Sequence, residues 1–111
     1  MKKLAVVAGE AKNLGKFLAQ GLYQNNYQVV VLDIDSKKLE QLNKQNPEID
    51  TFVCDLTNEV DVINAFQQIG KKYKTIDTLV YNAGWAKSSK ITSFEYKDFV
   101  TSLKINLDGY F

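Results

Sequence analysis

Two glycines six residues apart, Gly9 and Gly15, follow an apolar run in the stretch "VVAGEAKNLGK". A glycine can turn the chain sharply out of a strand. A second one in the first turn of the next helix lets a sheet or a phosphate approach the backbone closely. Helix N-termini carry unpaired N–H groups and partial positive charge, so this loop could cradle an anion. A tight turn with a packing glycine explains the same spacing. Asp33 adds an independent signal, because it ends the apolar run "VVVLDID" roughly 20 residues past the loop. A carboxylate there can accept hydrogen bonds from the ribose hydroxyls of a dinucleotide. It also repels a 2′-phosphate, which favours NAD over NADP. Asp35 competes for this role, but the strand register favours Asp33. Lys12, in the same loop, reads as a solvated side chain.

Other chemistries are excluded by composition. The 111 residues contain no His, which removes His-based acid–base catalysis and the commonest metal ligand; no metal site is expected. The formal charge of +1 gives no electrostatic reason to expect nucleic acid or a membrane surface as partner. Cys54 is the single cysteine and cannot form an internal disulfide, which points to a cytoplasmic protein. No segment approaches the ~20 apolar residues of a membrane-spanning helix.

The elements that must position these residues alternate in type. Residues 2–8 read as a buried strand ended by glycine. Leu14, Phe17, Leu18 and Leu22 fall on one face of a helix that Asn25 and Asn26 stop. "YQVVVLDID" is a second strand. Ser36 is the expected cap of a short helix that holds Leu39 and Leu42 and ends near Pro47. "IDTFVCD" is a third strand. Thr57 is the expected cap of a helix with an apolar stripe of Val62, Ile63, Phe66 and Ile69. "IDTLVYN" is a fourth strand, and Ser93 can cap a last helix carrying Phe99, Leu103, Leu107, Tyr110 and Phe111. Such alternation without close hairpins predicts an α/β fold, a doubly wound parallel sheet of order 3-2-1-4 within one domain spanning 1–111.

At four places the chain resembles the N-terminal part of the short-chain dehydrogenase/reductase family. "AGEAKNLG" is similar to that family's glycine-rich loop, with Ala8 for the usual Thr and Asn13 for the middle glycine. "CDLT", "YNAG" and "NLDGYF" match three further motifs in order and spacing, with Tyr81 standing for the first Asn of the usual NNAG. "LVYNAGWAK" and "LKINLDGYF" also look like the sorbitol-6-phosphate dehydrogenase branch. The resemblance implies a Rossmann-type fold and an NAD(P)-dependent oxidoreductase acting on a polyol or sugar phosphate. It assigns Gly9, Asn13, Leu14 and Gly15 to the cofactor loop and Asp33 to the ribose. Asp55 and Leu56 fall beside the adenine, and Asn82, Ala83 and Gly84 line the cofactor cleft.

The catalytic set implied by the resemblance is incomplete in these 111 residues. Asn106 matches the helix-four Asn, whose backbone carbonyl holds a water in a proton relay. The Ser and the Tyr-x-x-x-Lys segment are absent, and no Tyr in the sequence has a Lys four residues later. The chain therefore reads as a cofactor-binding half, truncated before the catalytic segment and inactive alone. The alternative is a non-catalytic dinucleotide-binding or assembly module. The apolar helix over 94–111 is the expected surface of a homo-oligomer, as the corresponding helix is in the family.

Overall fold

The alternation of short β-branched runs with amphipathic stretches yields seven elements in the computed structural model, which describes residues 2–9, 14–82 and 97. They are β1 (Lys3–Ala8), α1 (Leu14–Gln24), β2 (Tyr27–Asp33), α2 (Ser36–Gln45), β3 (Asp50–Val53), α3 (Glu59–Lys72) and β4 (Thr78–Tyr81). The four strands form one parallel sheet of order β3-β2-β1-β4, as the sequence predicts. Val6 of β1 lies beside Val30 of β2 and Leu79 of β4, and Leu32 of β2 lies beside Phe52 of β3. Of the expected helix over 94–111 only Lys97 is among the described residues, and it is helical; the Ser93 cap and the apolar positions lie outside them.

Strand side chains alternate between faces, so one sheet feeds two apolar clusters. Val7, Val29 and Val31 meet Ala19 of α1, Leu39 and Leu42 of α2, and Ile49. Leu4, Val6, Val30, Leu32 and Cys54 meet Ala65 and Ile69 of α3 on the other side. Both faces being covered explains why β2 has its last five residues buried and reads as a continuous apolar run rather than an alternating one.

Four local expectations are corrected. The inner face of α1 is Gly15, Ala19, Leu22 and Tyr23, whereas Leu14 and Phe17 are 56% and 68% exposed. Small residues at 15 and 19 let the helix backbone come close to the sheet, which turns the larger side chains outward. The cap of α2 is Asp35, not Ser36. Asp35 has extended backbone angles and its carboxylate accepts from the amides of Lys37 and Lys38, while Ser36 is already helical. The cap of α3 is Asn58, not Thr57. The Asn58 side chain accepts from the Asp61 amide at 3.0 Å, and the Thr57 hydroxyl instead donates to Asp55. Ile63 is also not part of the buried stripe; it flanks Val62 and is 48% exposed.

The amino edge of the sheet is closed by polar contacts. Asp77 exchanges two bonds with Leu4, donating its amide to the Leu4 carbonyl at 2.9 Å and accepting from the Leu4 amide at 2.8 Å. Tyr73, which caps α3, donates its hydroxyl to Oδ2 of Asp50, and the Lys72 ammonium lies 2.7 Å from the same oxygen. Burial, then the hydrogen bond and the charge of Asp50, push the Tyr73 hydroxyl well above the usual tyrosine range. Asn26, with φ of 69°, turns the chain from α1 into β2. Asn tolerates that left-handed conformation better than most residues, which is why the Asn25-Asn26 stop works.

Candidate cofactor-binding edge

The hydrogen-bond ladders of β1, β3 and β4 continue one residue past their carboxyl ends. The Gly9 amide donates to the Leu32 carbonyl at 2.7 Å, the Cys54 amide to the Asp33 carbonyl at 2.9 Å, and the Asn82 amide to the Ala8 carbonyl at 2.7 Å. These bonds set Cys54, Asp33, Gly9 and Asn82 along one edge of the sheet, following the strand order β3-β2-β1-β4, with Asp55 next after Cys54. Three of the sequence positions singled out as cofactor contacts, Asp33, Gly9 and Asn82, are thereby brought side by side, and Asp55 follows the rung residue of β3. Leu14 and Gly15 open α1 beyond the loop, with Leu14 exposed and Gly15 buried. Leu56 follows Asp55 and is half-buried. Asn13, Ala83, Gly84 and Asn106 lie outside the described residues.

Gly9 is buried and has a φ of 98°. That angle is strained for any residue with a Cβ, so the turn out of β1 requires glycine.

The two acidic candidates at the end of β2 and just past it differ in their surroundings. Asp33 is 8% exposed at the strand's last position, and its Oδ1 accepts from the Asp35 amide at 3.0 Å. Asp35 is committed to α2, with its Oδ1 accepting from two helix amides at 3.0 and 3.2 Å. Of the two, Asp33 is the one that lies on the sheet edge.

The loop after β3 contains contacts that the sequence reading missed. Oδ1 of Asp55 accepts from the Thr57 amide at 2.9 Å and from the Thr57 hydroxyl at 2.6 Å. The Asp55 amide donates to Oδ2 of Asp61 at 3.2 Å. An Asp two residues before a Thr is a recognised side-chain-to-backbone turn, and an Asn three residues before an Asp is a capping pattern. Both signals are in "DLTNEVD". Burial, then the charges of Asp61 and Asp55, raise the Cys54 thiol above its usual range, so it carries no thiolate for chemistry at neutral pH. Burial likewise raises the Tyr81 hydroxyl. Among the described residues no cluster of three or more His, Cys, Asp or Glu is arranged to hold a metal ion. Among them, too, no helix is long and apolar enough to cross a membrane.

Comparison with known proteins agrees with this geometry. The sequence matches the family model for short chain dehydrogenases over residues 3–111. It is 38% identical over 117 residues to sorbitol-6-phosphate 2-dehydrogenase of Escherichia coli (strain K12), which covers 100% of this chain and 45% of that protein. NAD+-bound xylitol dehydrogenase superposes with a TM-score of 0.87 at 28% identity, over 96% of this chain and 43% of the other. ElxO with NADP bound superposes with a TM-score of 0.89 at 28% identity, over 98% of this chain and 46% of the other. The chain thus spans less than half the length of the relatives it matches.

Proposed function

Because this chain belongs to the short-chain dehydrogenase family, we propose that its residues 1–111 form one Rossmann-type domain that binds NAD, the cofactor half of an oxidoreductase acting on a polyol or sugar phosphate. The observation that carries this reading is the alignment of Asp33, Gly9 and Asn82 on one sheet edge, with Asp55 just past β3. When bound, a nicotinamide supplies the hydride acceptor or donor.

The chain's own residues suit that ligand. Gly9, with no Cβ and a left-handed φ, leaves room for a pyrophosphate at the start of α1, with Asn13, Leu14 and Gly15 completing the loop. Asp33 accepts from the ribose hydroxyls. Asp55 and Leu56 border the adenine. Asn82, Ala83 and Gly84 line the cleft beyond β4, and Asn106 holds a water for proton relay. Relatives carry both NAD and NADP in their structures. A carboxylate at the end of β2 repels a 2′-phosphate, and this supports NAD here. The polyol or sugar-phosphate substrate is supported by the likeness to sorbitol-6-phosphate 2-dehydrogenase and xylitol dehydrogenase. A single cysteine suits the cytoplasm. The apolar segment 94–111 would serve self-association, and Leu103→Asp should then lower the sedimentation coefficient of the assembly.

Titration of the chain with NAD and NADP, followed by tryptophan fluorescence, tests the reading. Saturable binding with NAD tighter than NADP is expected. Absence of saturable NAD binding overturns it. The second reading is a non-catalytic dinucleotide-binding or assembly module; within these 111 residues no Tyr stands four residues before a Lys. Positioned proton transfer contributes ~10²–10⁴-fold to such reactions, so the 111-residue chain should produce NADH from sorbitol 6-phosphate far more slowly than a complete enzyme. Fast NADH production by the purified chain would require another proton-transfer group.

A further inference from the structure

We draw no further inference here: the strongest candidate, the outward surface patch of Leu14 and Phe17 on α1, is an unpartnered apolar face, and nothing in the structure shows what covers it.

Discussion

The Cys54 amide donates to the Asp33 carbonyl at 2.9 Å, so Asp33, whose strand partner is Val53, is tied by one backbone bond to the first residue past β3, and Asp55 follows that residue. A backbone rung thus ties the end of β2, at the ribose candidate, to the start of the loop that carries the adenine candidate.

Asp33→Ala should weaken NAD and leave NADP unchanged or improved. A hydrogen bond to a charged group has a net strength of about 1.5–3 kcal/mol, so the loss for NAD should be roughly 10- to 100-fold. Paired titrations of the two cofactors check this. Equal losses for both would mean that Asp33 supports the fold rather than reading the ribose.

Three glycines should respond in opposite directions. Gly9→Ala forces a Cβ onto a φ of 98° and should lower stability by about 1–3 kcal/mol. Gly21 and Gly70 lie inside α1 and α3, and a Cβ at either would meet nothing within 4 Å. Gly21→Ala and Gly70→Ala should each raise stability by about 0.5–1 kcal/mol through helix propensity. Urea unfolding of the three variants measures all three signs.

The capping assignment for α2 is tested by a neighbouring pair. Asp35→Ala removes the acceptor of two helix amides and should cost about 0.5–2 kcal/mol. Ser36→Ala, one residue on, should fall within about 0.5 kcal/mol of the parent. The opposite ranking in thermal melts would return the cap to Ser36.

Tyr73 gives a pH dependence with a defined sign. Its folded-state pKa is raised, mainly by burial and then by its bond to Asp50, from an ordinary value of 10.0. The neutral hydroxyl is the form the fold prefers. Its stabilisation is therefore fully present below pH 10 and is lost as pH climbs above that value, where the unfolded chain releases the proton first. Tyr73→Phe should cost about 1 kcal/mol at neutral pH and flatten the fall in stability above pH ~10. Denaturant midpoints between neutral and alkaline pH, compared for parent and variant, show whether the slopes differ.

Much of this architecture is legible in the sequence because strand and helix signals alternate cleanly. Four apolar runs, each followed or preceded by a helical stripe, leave few parallel arrangements, and Val6 beside Val30 follows from the favoured one. Asp33 is readable as the edge residue because β2 ends on it. The face of α1 is not readable, since Gly15 and Ala19 carry no hydrophobic signal and the close approach they allow is a tertiary property. Phe17 and Leu14 dominate the pattern and yet point away. The caps are missed by one residue for a related reason. Asp35 and Ser36, like Thr57 and Asn58, are all good capping types, and the winner is decided by which backbone is still extended. The web around Asp55 depends on a carboxylate reaching back six residues, which no periodicity announces.

The rungs that carry Gly9, Cys54 and Asn82 past their strand ends also determine where the chain can change length. One residue inserted within β2 would slide Asp33 by about 3.3 Å along Gly9 and turn its two core faces inside out. An insertion in the turn between α2 and β3, or between α3 and β4, lies at the opposite edge and leaves that alignment untouched. Insertions and deletions in a lineage carrying this sheet should therefore collect at the amino edge, while spacing along the strands stays fixed.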